Sequence, residues 1–87
     1  MTNGPSRIIV ERVDLLPSRA DWIFVTGVLS GEPVSIGDAV TIHHGDQTTG
    51  ATIKSIELHG RPGKTTIMLD AELRPIVTAG TVINRQQ

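Results

Sequence analysis

Short stretches in which apolar residues alternate with polar ones run through most of the chain and predict β-strands. The pattern predicts six of them, over residues 7–16, 22–30, 34–42, 48–59, 64–70 and 81–84. Glycine and proline recur between these stretches at the short intervals typical of strands joined by tight turns. The segment from Ala71 to Pro75 is long enough for one helical turn. The pattern therefore predicts an all-β fold.

Two of the predicted strands are apolar on both faces. In the second strand Trp22 and Phe24 share one face, while Ile23 and Val25 share the other. Apolar residues on both faces are typical of a strand that is covered on both sides. Because closure of a sheet removes its exposed edges, we expect a small closed antiparallel β-barrel of about six strands.

Three positions are expected to bend the sheet. Gly27 lies in mid-strand, where glycine usually marks a bend or a close backbone approach. Gly37 precedes Asp38 and offers a backbone conformation with positive φ at which the chain can turn. In the fourth strand the inward face must switch between Ile53 and Ile56, which predicts a bulge there.

The composition agrees with a single β domain. The chain of 87 residues contains 10 isoleucines, 8 valines and 10 threonines, the β-branched residues that favour strands. This length allows one domain, which we place at residues 7–84. Residues 1–6 are expected to form a flexible N-terminus, and residues 85–87 a frayed C-terminus.

The charge, the cysteine content and the lengths of the apolar runs argue against several classes of protein. The formal net charge of -1 lacks the strongly basic balance of most nucleic-acid-binding domains. The absence of cysteine excludes disulfides and thiolate chemistry. No apolar run is long enough for a membrane span or a signal peptide, so we expect a cytoplasmic protein without a membrane partner.

A series of short motifs occurs in order along the chain: Val25-Thr26-Gly27, Gly31, Ile36-Gly37-Asp38, Val40, Ile42, Lys54-Ser55-Ile56-Glu57-Leu58-His59, Ile76 and Gly80-Thr81-Val82-Ile83. In order and separation this series resembles the second, β-barrel domain of translational GTPases such as elongation factor Tu. The resemblance covers roughly residues 7–84 and implies a stand-alone copy of that barrel. The GTPase domain itself is absent from this sequence. The segment Gly63-Lys64-Thr65 lacks the first glycine of a phosphate-binding loop, so we expect no nucleotide hydrolysis.

The resemblance implies a site for RNA. Glu57 and His59 match residues that lie beside the pocket for the aminoacylated end of transfer RNA in that family. Arg61 and Lys64 flank the next turn and could add a small basic patch. The alternative, which we favour for Glu57 and His59, is that they are polar side chains on the outward face of a barrel strand.

A second candidate site involves the chain's two aromatic residues, Trp22 and Phe24. If their face of the strand is internal, they are the largest core residues, which is the interpretation we favour. If it is external, they form an apolar surface of the kind that binds a partner. Val28 stands on the same strand, where members of the family often have a basic residue.

The sequence offers no catalytic or metal-binding constellation. His43 and His44 are adjacent, so on a strand they point to opposite faces, and His59 is distant along the predicted ladder. No serine lies in a Gly-x-Ser-x-Gly motif, and no carboxylates are paired at a recognisable spacing. We therefore expect no metal, no cofactor and no enzymatic activity.

Together these features predict a non-enzymatic binding module that engages a protein partner or self-associates. The alternative is RNA binding at the translation apparatus, either to the end of transfer RNA or to ribosomal RNA. The acidic charge balance places RNA second.

Overall fold

The computed structural model of the protein describes residues 6–57 and 62–86. Its strands are β1 (Arg7–Asp14), β2 (Trp22–Ser30), β3 (Ala39–His44), β4 (Gln47–Thr52), β5 (Ser55–Glu57), β6 (Thr65–Asp70) and β7 (Val82–Arg85). Single 3-10 turns occupy Pro17–Arg19 and Ala71–Leu73. No α-helix occurs in these two ranges, so the all-β prediction is confirmed. Accordingly, no helix in the described chain has the length and hydropathy to span a membrane.

The strands form one curled antiparallel sheet in the order β4-β3-β7-β1-β2-β6-β5. The sheet is a half-barrel, so the prediction of a closed barrel is wrong. β4 and β5 are its two edges, and only Ile53 and Lys54 connect them along the chain. The sheet curls because the chain passes directly from one edge to the other.

The structure has seven strands instead of the predicted six because the fourth predicted strand is divided at Ile53. The Ile53 N–H donates to the Asp38 carbonyl at 3.0 Å, while the next N–H, that of Lys54, donates to the Met68 carbonyl at 2.8 Å. Consecutive residues therefore bond to opposite sides of the curled sheet, and no single ladder can continue through them. Ile53 itself is buried in the core.

The hydrophobic core fills the concave side of the sheet. Its fully buried members are Ile8, Val10, Ile23, Val25, Val40, Ile42, Ile53, Ile67, Leu69, Val77 and Ile83. In β2 the inward residues are Ile23 and Val25, whereas Trp22 and Phe24 are half-buried on the opposite, outer face. The interpretation of Trp22 and Phe24 as core residues is therefore wrong.

A bulge in β1 explains how this strand, which mixes apolar and charged residues on both predicted faces, keeps its charged side chains out of the core. The pairing of β1 with β2 shifts register between Val10 and Arg12, which leaves Glu11 without a partner in the ladder. Without this extra residue, strict alternation from the buried Val10 would direct Arg12 and Asp14 into the core. The bulge directs both of these charged side chains to the outer face.

The turn before β3 is hydrogen-bonded to Ile53, the residue that follows the edge strand β4. Gly37 has a φ of 92°, and its N–H donates to the Ile53 carbonyl at 2.8 Å. The carboxylate of Asp38 accepts a hydrogen bond from the Ser35 N–H at 2.7 Å. Ile36, expected within a strand, lies in this turn and is 64% exposed. β3 consequently begins later than predicted.

Both ends of the described chain make specific contacts beyond the predicted domain boundaries. Ser6 is buried, and its carbonyl accepts from the Arg85 N–H at 3.1 Å. Arg85 also forms an ion pair with Glu32, and the Gln86 N–H donates to the Ala39 carbonyl at 2.8 Å.

Candidate functional site

The outer face of the sheet carries two rows of side chains that cross four strands. In one row Arg12 on β1 lies opposite Thr26 on β2, Thr26 opposite Thr66 on β6, and Thr66 opposite Glu57 on β5. Directly opposed residues in an antiparallel sheet share a face and are close neighbours. Strand register therefore brings together residues from four separate parts of the chain.

The second row lies beside the first and is more apolar. It places Asp14 opposite Phe24, Phe24 opposite Met68, and Met68 opposite Ser55. Met68 is only 6% exposed although it lies on the outer face. Between the charged residues at their ends, the two rows present hydroxyl and apolar groups.

A cleft of about 640 Å³ lies over the first row and over Asp14 and Phe24 of the second row. Its apolar part is formed by Leu15, Leu16 and Phe24. Leu15 and Leu16 follow the end of β1 and are 47% and 43% exposed. Pro17 begins the 3-10 turn directly after them, which ends the strand and leaves both side chains at the surface. The cleft therefore has an open apolar wall.

Exposed and partly exposed charged groups form a rim of the cleft, and four of them are paired. The Lys64 Nζ lies 2.6 Å from the Glu11 Oε2, and the Arg12 Nε lies 2.9 Å from the Asp14 Oδ2. Glu57 is exposed and also lines the cleft. The lining thus contains three carboxylates and two basic groups, and each basic group has a carboxylate beside it.

The floor of the cleft holds a pair of hydroxyl groups. The Thr26 Oγ1 and Thr66 Oγ1 atoms are 2.8 Å apart and hydrogen-bond to each other across β2 and β6. Each hydroxyl oxygen keeps a lone pair that this bond does not use, and both threonines line the cleft, so the pair can accept a hydrogen bond from a bound group. The cleft combines an apolar wall, a hydroxyl floor and a charged rim, an arrangement suited to binding a ligand with mixed polarity.

The structure places two of the four predicted RNA-binding residues in this cleft. Glu57 and Lys64 both line it, at the end of β5 and before the start of β6. The other two, His59 and Arg61, lie outside the described residues.

The three predicted partner-binding residues all lie on the outer face of β2 but are not grouped in one site. Phe24 lines the cleft, while Trp22 is at one end of the strand with the Arg19 guanidinium 3.7 Å from its ring centroid. Val28 lies beyond the cleft, opposite Ile9 on β1, and both are more than 40% exposed. Only Phe24 is therefore a cleft residue.

Gly27 lies where β1 and β2 approach closely, and the neighbouring histidines His43 and His44 lie in the β3–β4 hairpin. A Cβ atom on Gly27 would lie 2.2 Å from the Ile9 carbonyl oxygen, so this glycine permits β1 and β2 to approach closely. His43 pairs with Thr48, while the His44 Nε2 lies 3.0 Å from the Thr49 Oγ1. Within residues 6–57 and 62–86, no three side chains of metal-ligating type are grouped to hold an ion.

Sequence reasoning missed most of the cleft. Arg12 and Asp14 reach it only because of the β1 bulge, which depends on how β1 pairs with β2. Leu15 and Leu16 offered a local signal, since two consecutive apolar residues before a proline cannot both be buried by strand alternation.

Comparison with known proteins gives no further assignment. No protein-family model matches the chain, and no curated protein matches its sequence.

Proposed function

We propose that this chain is a non-enzymatic binding module that recognises a protein partner through the cleft on the outer face of β1, β2, β6 and β5. The observation that supports this most directly is the pair of exposed leucines, Leu15 and Leu16, beside Phe24 in a cleft of about 640 Å³. Apolar side chains that stay exposed around a concavity and within a polar rim are typical of protein interaction sites.

The partner would insert an apolar side chain between the leucines and Phe24. Its flanking polar groups would meet the Thr26 and Thr66 hydroxyls on the floor. The charged pairs at the rim would orient the partner more than they would strengthen binding, because exposed ion pairs contribute little free energy.

RNA binding is the alternative function, and one observation favours it. Glu57 and Lys64, two of the residues implied by the translation-factor resemblance, line the same cleft as Phe24. A ribose hydroxyl could donate to Glu57, and a base could stack on Phe24. The charge argues for protein, since Lys64 and Arg12 are each paired with a carboxylate and a phosphate would have to displace it.

Affinity capture of the tagged full chain from its native cells, with and without ribonuclease, tests the proposal. The variant Leu15→Ser/Leu16→Ser removes the apolar wall at exposed positions. Ile36→Ser is the matched control, because Ile36 is more exposed than either leucine and lies in the turn before β3.

We expect a protein that is retained after ribonuclease treatment, is lost with the double-leucine variant and is retained by Ile36→Ser. Capture that disappears on ribonuclease treatment and weakens in Lys64→Ala would instead support RNA binding. Equal capture by wild type and the double-leucine variant would exclude the cleft as the binding site.

A further inference from the structure

The charges that line the cleft do not cancel. The lining contains three carboxylates and two basic groups. Glu11 is paired with Lys64 at 2.6 Å. Asp14 is paired with Arg12 at 2.9 Å. The remaining carboxylate, Glu57, is exposed and forms no ion pair with any described residue. The cleft lining therefore carries one excess negative charge, at Glu57.

The strand order keeps both basic groups of the lining away from Glu57. The order β1-β2-β6-β5 places Glu11 on β1 and Glu57 on β5, at opposite sides of the cleft. Lys64 directly precedes β6, and its ammonium reaches across β2 to Glu11, which is away from β5. Arg12 is at the far end of the first row, and three strand spacings put it about 14 Å from Glu57. A cation on a partner would therefore find Glu57 without a competing basic group from the described lining.

The apolar wall and Glu57 lie within reach of one short segment of a partner. Phe24 and Glu57 are two strands apart and belong to adjacent rows of the outer face. Two strand spacings combined with a step of two residues along a strand give a separation of about 12 Å. In an extended segment, residues two or four positions apart share a side and lie about 7 or 14 Å from each other. The long, flexible stem of a lysine or arginine covers the difference.

We propose that the partner segment carries a lysine or arginine two or four residues from its apolar anchor, and that this cation pairs with Glu57. The inference rests on the proposed function and names the chemistry of the partner. The anchor lies against the two leucines and Phe24, and the backbone between anchor and cation passes the hydroxyl pair. An acidic segment is disfavoured, because it would meet Glu57 and would have to displace the carboxylate beside each basic group.

The pairing with Glu57 contributes more to specificity than to affinity. Because Glu57 is exposed, water screens its attraction for a cation, and an exposed ion pair changes a dissociation constant by up to about fivefold. The apolar anchor supplies most of the affinity, and Glu57 selects among segments that carry such an anchor. The contribution of Glu57 decreases as the salt concentration rises.

Selection of random peptides displayed on phage, with the full chain as target, tests the inference. Peptides that also bind Leu15→Ser/Leu16→Ser are removed, so those that remain require the apolar wall. We expect the remaining peptides to share an apolar residue with a lysine or arginine two or four positions away. If they lack the basic residue or carry an acidic one there, the inference is refuted while the proposed function stands. If no peptide requires the two leucines, the cleft does not bind a protein segment and both proposals fail.

Charge changes at Glu57 test its role with the selected peptides in synthetic form. Glu57→Lys should raise their dissociation constants about tenfold at low salt, and Glu57→Gln, which keeps the side-chain shape, about twofold to fivefold. Glu72→Lys is the matched control, because Glu72 is exposed, outside the cleft lining and in no ion pair with the described chain. Equal dissociation constants for Glu57→Lys and Glu72→Lys would refute the pairing.

The direction of the change separates this partner from RNA. Polyuridine, a single-stranded RNA probe, carries a phosphate at every nucleotide, so Glu57→Lys should strengthen its binding to the cleft. The inference is supported when Glu57→Lys weakens binding of the selected peptides. Polyuridine binding that requires the two leucines and tightens in Glu57→Lys would overturn the inference in favour of RNA.

Discussion

Gly27→Ala is the substitution that most directly tests the close approach of β1 and β2. The added Cβ would lie 2.2 Å from the Ile9 carbonyl oxygen and 2.9 Å from the Ile8 Cγ2. Both distances are below those that real Cβ atoms show, so the two strands must separate by about 1 Å at this point. Because the first obstacle is backbone, no side-chain rotation can relieve the overlap.

The expected loss in the free energy of unfolding of Gly27→Ala is the sum of two costs. Overpacking a buried position costs ~1–3 kcal/mol, and each ladder hydrogen bond stretched by strand separation adds about 1 kcal/mol. We therefore expect Gly27→Ala to lower the free energy of unfolding by about 2–4 kcal/mol. For a domain of this size that corresponds to a fall in Tm of roughly 10–30 °C in a thermal unfolding experiment followed by circular dichroism.

Gly50→Ala is the matched control. Gly50 is also in a strand and does not have a positive φ, but the nearest atom to its added Cβ is the Gln86 Nε2 at 3.6 Å. This variant should leave stability unchanged or raise it by about 0.4–1 kcal/mol, since alanine reduces the entropy of the unfolded chain. Equal Tm values for the two variants in dilute solution would refute the reasoning.

Three further substitutions have expected outcomes in the same unfolding assay. Gly37→Val forces a β-branched residue to a φ of 92° and should cost ~1–3 kcal/mol; no change in Tm would show that the turn can relax. Leu69→Ala empties a fully buried site and should cost about 2–5 kcal/mol, which chemical denaturation at constant m-value would measure. Lys64→Ala removes a partly exposed ion pair with Glu11 and should cost less than about 1 kcal/mol, with the difference shrinking at high salt; a larger, salt-independent loss would contradict this assignment.

The pattern of residue types along the chain was sufficient to predict the bounds of a strand when a distinct run of β-branched and aromatic residues marks it. β2 spans Trp22–Ser30, the range predicted from its run of β-branched and aromatic residues. The switch of inward face between Ile53 and Ile56 was also visible in the sequence. Whether that switch produces a bulge within one strand or a break between two depends on the hydrogen bonds that Ile53 and Lys54 make to distant segments. Sequence pattern contains no information on those bonds.

The prediction of a closed barrel was wrong for a related reason. Apolar residues on both faces of β2 suggested cover on both sides, but Phe24 instead lines an open cleft on the outer face. Periodicity shows that a face is apolar and does not show what covers it. Glu57 and Lys64 were named in the sequence as candidate RNA-binding residues, and both line the cleft, but no pattern in the sequence grouped them with Phe24. The cleft was not predictable at Arg12 and Asp14, whose outward direction depends on the register shift in β1.

The central claim is that the cleft recognises a protein. Its most direct test is to titrate the captured protein partner into isotopically labelled chain and map the backbone amide shifts by NMR. If the cleft is the binding site, the largest changes should occur at Leu16, Phe24, Thr66 and Glu57, with little change at Ile36. Saturable binding that shifts amides elsewhere and leaves those of the cleft unchanged would contradict it.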